Sequence, residues 1–264
     1  MRGLFAAVAF LTTIPVPRRL LGDEPASPSA MLWWWTPVGA LIGALAAAIT
    51  WLASLVLPWP TCAAIGVVSL VVLSGGLHLE GFMDTCDGLG SRAPRERALE
   101  IMKDPRAGAF GVIGVVCLLL LKIAFVAGMD PAWGIPAIIL APVWARVMQV
   151  ATLAGGVRYY ARPDGGMAQA FFASARLTHG LVAALVAAAA VASLQWASPG
   201  ADLLAREGAV QTAVPAMGCS LPVIAVVEWQ IRKRLGGHTG DTVGAISELS
   251  ELLILAAFAI FSRF

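Results

Sequence analysis

Three carboxylates, Glu80, Asp84 and Asp87, fall within Gly75-Gly-Leu-His-Leu-Glu-Gly-Phe-Met-Asp-Thr-Cys-Asp-Gly-Leu-Gly-Ser-Arg92. At about 100° per residue, this i, i+4, i+7 spacing puts them on one helical stripe about 60° wide. Three like charges on one stripe repel, and a helix gains by holding them there only when cations intervene. Mg²⁺ or Mn²⁺ suits such a set, because hard cations take carboxylate oxygens and often share them with a substrate phosphate. A solvated acidic face is the plainer alternative, but the neighbours Leu77, Leu79, Phe82, Met83 and Leu89 point to partial burial. His78 sits about 160° from the stripe, so a ligand role there requires a break at Gly81 or another approach. A hydrogen-bonded structural histidine is the alternative for it. His78 and Arg92 are both carried as candidate substrate contacts.

Three further segments bring ionisable residues. Arg95-Glu-Arg-Ala-Leu-Glu-Ile-Met-Lys-Asp104-Pro-Arg-Ala-Gly-Ala-Phe-Gly111 offers Lys103 and Arg106 for phosphates and Asp104 as a fourth metal ligand. Arg95 and Arg97 there need no role beyond the bias of basic residues to one side of a membrane. Arg158-Tyr-Tyr-Ala-Arg162-Pro-Asp-Gly-Gly166 offers paired aromatics and Arg162, with Arg146 from the preceding apolar stretch able to join it. Gly236-Gly-His-Thr-Gly-Asp241-Thr-Val-Gly-Ala-Ile-Ser-Glu248-Leu-Ser-Glu251 is a glycine-rich turn opening a helix, the kind of N-terminus that binds anions. It lacks the GK[ST] ending of a P-loop. Asp241 either contacts substrate or caps the helix. Glu248 and Glu251, costly within an apolar span, are expected to line the site.

These segments must be positioned by a membrane. The 264 residues are 59% apolar and 13% charged, with a mean hydropathy of +0.81, where a soluble domain carries about 25% charge. Spans are expected over 36–57, 61–77, 109–127, 132–154, 178–197 and 211–231, with a seventh over 243–261. The second is short and leads straight into the polar segment, so its helix is expected to run on beyond the bilayer. Residues 1–16 are too short for a span of about 20 residues and read as an interfacial or re-entrant helix. The fold class is therefore all-α, a polytopic membrane bundle of about six to seven transmembrane helices in a single domain.

Lysine and arginine concentrate in 15–35, 78–108, 155–177 and 232–242, whereas the intervening connectors hold only Arg206. This alternation puts the basic loops in the cytoplasm, so four polar segments can converge on one site at the cytoplasmic helix ends. The basic clusters are short and form no nucleic-acid stripe. Cys62, Cys86, Cys117 and Cys219 form no CxxC pair and give neither a zinc nor a disulfide signal. No internal repeat supports an inverted-repeat transporter.

The chain resembles the cobalamin-5′-phosphate synthase family, membrane enzymes that join the nucleotide loop of vitamin B12. The resemblance rests on Phe10-Leu-Thr-Thr-Ile-Pro-Val-Pro17, the 75–88 segment, Leu99-Glu-Ile-Met-Lys-Asp104 with its trailing Gly-Ala-Phe-Gly, Tyr160-Ala-Arg162, and 236–245 with Glu248 and Glu251. These pieces span nearly the whole chain in the family's order. Position 80 departs from it: the family usually has aspartate where Glu80 stands, a carboxylate one methylene longer. A partial likeness to the CDP-alcohol phosphotransferase signature runs from Asp84 to Arg92 and fails beyond it.

The resemblance implies a bacterial inner-membrane adenosylcobinamide-GDP ribazoletransferase with its site on the cytoplasmic side. The ribose 3′-hydroxyl of α-ribazole, or of its 5′-phosphate, attacks the pyrophosphate of adenosylcobinamide-GDP. Adenosylcobalamin or its phosphate forms, and GMP leaves. Implied metal ligands are Glu80, Asp84, Asp87 and Asp104; implied catalytic residues are Asp84, Asp87 and Asp104, with Asp104 or Asp84 accepting the hydroxyl proton. Lys103, Arg106 and Arg162 take the remaining phosphate charge. The partners are these substrates and the lipid bilayer, with a homo-oligomer left open. A phospholipid-making CDP-alcohol phosphotransferase and a cation- or proton-coupled transporter are the competing readings.

Overall fold

The computed structural model describes residues 1–155, 161, 167–194 and 203–263, the last segment as backbone alone over 203–210. Every regular element among them is helical. Three short helices, α1 (Arg2–Leu11), α2 (Arg18–Leu21) and α3 (Pro28–Leu32), precede α4 (Trp35–Ser54) and α5 (Trp59–Leu73). The polar region holds α6 (Leu77–Gly90) and α7 (Arg95–Ile101), followed by α8 (Ala109–Ala127) and α9 (Pro131–Gly155). Then come α10 (Met167–Ser174), α11 (Leu177–Leu194), α12 (Leu203–Leu235) and α13 (Gly240–Phe261).

Among the described residues six stretches are long and apolar enough to cross a bilayer: α4, α8, α9, α11, the Gln211–Leu235 part of α12, and α13. The pair α5–α6 makes a seventh only as a bent unit, turning by 91° between its halves. This corrects the expectation that the second span continues straight into the polar segment. The apolar run stops at Leu73, and Gly75 and Gly76 take φ of +65° and +69°. Glycine reaches this left-handed region without steric cost, so the chain swings aside there. The ten residues of α1, about 15 Å long, cannot cross a core about 30 Å thick. They pack Gly3, Ala7 and Leu11 inward instead.

Helices in lipid associate through close packing rather than through burial from water, so small residues mark their crossings. The most enclosed spans are α9 and α13, 78% and 72% buried, and the others surround them. Where α4 crosses α9, a Cβ at Gly39 would overlap the Pro142 carbonyl and Arg146, and one at Gly43 would strike the Ile139 carbonyl. Where α6 crosses α13, a Cβ at Gly81 would lie 2.8 Å from the Asp241 carbonyl oxygen, and Gly244 sits against the His78 backbone. The Gly81–Gly244 crossing brings the acidic helix α6 against the start of α13.

Candidate active site

Helix α6 runs unbroken from Leu77 to Gly90. Its Leu77, His78, Glu80, Gly81 and Asp84 all line one cavity of about 360 Å³. Because the cavity wraps nearly half of the helix circumference, His78 reaches it without the break at Gly81 that its position on the helix had required. Asp241, at the start of α13, joins Glu80 and Asp84 in the lining. The α13 N-cap is Thr239, whose hydroxyl accepts from the Thr242 N–H while the Thr242 hydroxyl accepts from the Thr239 N–H. Asp241 is thus placed at the cavity rather than used as the cap. The cavity is completed by Phe10, Trp35, Gln149 and Phe171.

Asp87 belongs elsewhere. Its carboxylate accepts from the Gly108 N–H at 2.9 Å and the Gly111 N–H at 2.8 Å, and it is buried. The unpaired amides at the start of α8 thereby find a negative partner, an arrangement favoured by the helix dipole. A Cβ at Gly108 or Gly111 would overlap this carboxylate, which explains the glycines there. Asp87 and Asp104 line a second cavity of about 250 Å³ with Arg97, Glu100, Arg106 and Gly108. Asp104 is gripped by Arg106 through Nε to Oδ1 at 2.9 Å and Nη2 to Oδ2 at 2.8 Å. The side-chain and backbone hydrogen bonds from Arg106 hold the Asp104 carboxyl down to about 2.

The expected cluster of Glu80, Asp84, Asp87 and Asp104 is therefore divided between two cavities. Among the described residues no three of His, Cys, Asp and Glu form a group ready to hold a metal ion. Helical spacing placed Asp87 on the stripe, but the α8 N-terminus takes its oxygens. Glu80 and Asp84, one turn apart on the same cavity, still form a hard-oxygen pair. Mg²⁺ is commonly held by one or two carboxylates together with substrate phosphates and water, so this pair fits such an ion with phosphate completing the shell.

Glu248 does not line the cavity, contrary to expectation. Lys122 Nζ donates to Glu248 at 2.6 Å and Glu251 at 2.7 Å, with all three side chains buried. Arg146, expected to join the 158–166 loop, is also buried and donates to the Ser247 hydroxyl at 2.8 Å. Glu248 and Glu251 are thus held against buried cations inside the bundle. Lys122 escaped the sequence reading, although a lone lysine within a span (α8) is a signal that acids in another span need a partner.

Arg92 is exposed with φ of +54°, and Lys103 is exposed. Neither is among the residues lining the two cavities. Arg162 lies outside the described residues. Arg95 proves to be a clamp, its guanidinium donating to the carbonyls of Leu235 at 2.7 Å and Ala161 at 3.2 Å. Arg97 pairs with Glu100 at 3.0 Å on the surface. His238, in the turn before α13, is pushed down to about 4 by burial and by nearby Arg232. Phe10 lay within a motif already noted, but neither it nor Trp35, Gln149 and Phe171 carried any ionisable signal to mark it.

An acidic cavity at one end of a polytopic helical bundle, above a neutralised charge cluster, is the framework of a membrane-embedded enzyme. The chain belongs to the cobalamin-5-phosphate synthase family, whose family model matches residues 3–259. It is 38% identical to the adenosylcobinamide-GDP ribazoletransferase of Leptothrix cholodnii, with 95% of this chain and 92% of the relative covered. The enzyme of that name from Geotalea daltonii is also 38% identical, over the full length of both. That from Klebsiella pneumoniae is 35% identical, covering 97% of this chain and 99% of its own. No solved structure matches the chain.

Proposed function

We propose that this protein is an adenosylcobinamide-GDP ribazoletransferase. The observation that carries the reading is the grouping of Glu80, Asp84 and Asp241 on one cavity, in a chain related over its full length to enzymes of that name. The α-ribazole 3′-oxygen forms a bond to the phosphorus on the cobinamide side of the pyrophosphate. The bond from that phosphorus to the bridging oxygen breaks, and GMP leaves with the electron pair. Asp84 accepts the hydroxyl proton. It is a better choice than Asp104, because Asp84 shares its cavity with Glu80 and Asp241 whereas Asp104 lines the other one.

Glu80 and Asp84 are the residues that would hold Mg²⁺, and the bound ion would neutralise charge on the pyrophosphate and the departing GMP. Asp241, at the start of α13 against Gly81, orients the ribose hydroxyls. The cavity lies at the bundle end bearing Arg18, Arg19, Arg92 and Arg232–Arg234, which the positive-inside bias assigns to the cytoplasm. Pairing of Glu248 and Glu251 with Lys122, with Arg146 as a second cation beside them, removes the chain of free acids on which a transport reading depends.

The test is release of GMP by the purified protein given adenosylcobinamide-GDP, α-ribazole and Mg²⁺. GMP release that stops with EDTA and resumes with added Mg²⁺ is expected. No GMP from well-folded protein overturns the reaction, and release indifferent to EDTA overturns the metal.

A further inference from the structure

The two proposed substrates differ greatly in size, and the cavity discriminates between them. Ligand clefts for drug-sized molecules run from about 300 to 1,000 Å³. A cavity of about 360 Å³ therefore suits a nucleoside of about 20 non-hydrogen atoms and is far too small for a corrin ring carrying a nucleotide.

The lining is divided by chemistry. From α6 and α13 come Glu80, Asp84 and Asp241; from α1, α4 and α10 come three aromatic rings. Phe10 lies 6.2 Å from Trp35 and 5.6 Å from Phe171, and Trp35 lies 5.0 Å from Phe171, measured between ring centroids. Such a set offers faces and edges to a flat apolar ring.

Buried polar atoms without partners supply a second, independent observation. Among the described residues these are Trp35 Nε1, Thr36 Oγ1, Arg146 Nε and Gln149 Oε1. All four lie on the facing helices α4 and α9. Trp35 and Gln149 themselves line the cavity, and they are only 4% and 1% exposed. Native proteins seldom leave buried polar groups unpaired, and such groups call for an explanation. For the two on the cavity wall, Trp35 Nε1 and Gln149 Oε1, a ligand in the cavity supplies the missing partners once the two side chains turn toward it.

Building on the proposed reaction, we infer that this cavity is the α-ribazole site. The benzimidazole base packs against the cluster of Phe10, Trp35 and Phe171, its unsubstituted ring nitrogen accepts from Trp35 Nε1–H, and a ribose hydroxyl donates to Gln149 Oε1. The ribose then faces Glu80, Asp84 and Asp241, with its 3′-hydroxyl toward the proton acceptor. The corrinoid nucleotide remains outside and presents only its pyrophosphate at the mouth.

Two variants remove the unpartnered atoms of the cavity wall: Gln149→Leu at nearly constant volume, and Trp35→Phe with loss of the second indole ring as well. If those atoms serve only the fold, their removal leaves substrate binding alone, and Gln149→Leu leaves the protein as stable or more so. If they serve the nucleoside, Gln149→Leu keeps its thermal stability, Trp35→Phe loses only the packing of the missing ring, and each raises KM for α-ribazole about tenfold, with KM for adenosylcobinamide-GDP within twofold of the parent. Ala168→Trp, which adds bulk to a half-buried wall position, should abolish calorimetric binding of α-ribazole in a folded sample.

An unchanged KM for α-ribazole in both conservative variants, or a rise confined to the corrinoid substrate, overturns the assignment. Calorimetry with α-ribazole alone needs no turnover, so it separates this inference from the reaction. Binding lost on filling the cavity, with no GMP released by the parent, keeps the site and overturns the reaction. Full binding by Ala168→Trp overturns the site whatever the reaction.

Discussion

Replacing Lys122 with methionine tests whether α13 is held by an ion cluster inside the bundle. In the native protein Lys122 Nζ lies 2.6 Å from Glu248 and 2.7 Å from Glu251, and Arg146 is the other cation near them. Two cations face two anions. Methionine keeps most of the lysine stem's bulk but removes the ammonium and both charge-assisted bonds, so one buried anion is left uncompensated. Breaking one side of a buried pair costs about 3–5 kcal/mol, mostly because the remaining charge stays buried. For a chain of this size, that loss lowers Tm by about 10 °C. The assay is thermal unfolding in detergent, followed by tryptophan fluorescence. Adding Glu248→Gln and Glu251→Gln to Lys122→Met removes the orphaned charge and should recover most of the stability, since a neutral packed core often replaces a buried ion cluster without loss. A Tm within 2 °C of the parent for Lys122→Met alone, or no recovery in the triple variant, would refute the reasoning.

The divided carboxylates give the next prediction: Glu80→Gln and Asp84→Asn should lose GMP release at unchanged Tm. Asp87→Asn should instead lose about 1–2 kcal/mol of stability, because a charged acceptor for two amides of the α8 N-terminus is weakened; equal Tm values for all three variants would contradict this. Gly81→Leu should separate α6 from α13 and disrupt the cavity, so ordinary stability together with full activity would show that the crossing does not position the site. His238, held neutral in the fold to about 4, binds its proton in the unfolded chain near its ordinary value of about 6.5. Between those values the unfolded state holds more protons, so the contribution to stability is fully present above about pH 6.5 and is lost as pH falls toward 4. Replacement by glutamine should flatten that part of a Tm-versus-pH profile, and an identical slope would rule His238 out as its source.

Much of this organisation was legible in the chain itself. Apolar stretches located the spans because a bilayer admits only closed backbone hydrogen bonding and few charges. Glu80 and Asp84 were legible as a pair because a helix places i and i+4 on one face. Asp241 was legible because a glycine-rich turn must open α13. Asp87 shares the stripe of Glu80 by the same periodicity, yet its oxygens face Gly108 and Gly111. Helical spacing states where a side chain leaves its own axis, not which neighbouring helix receives it.

The sequence by itself therefore determined the multi-pass membrane class, the helices and the chemical types available in the polar segments. Tertiary structure alone decided their allocation. It turned α5 into α6 by 91°, paired Lys122 with two glutamates from a span more than a hundred residues away, and brought Phe10, Trp35 and Phe171 to the acidic cavity. The physical reason is that local periodicity and hydropathy act within one segment, whereas partner choice among buried charges and rings depends on which helices cross, and at which glycines they approach.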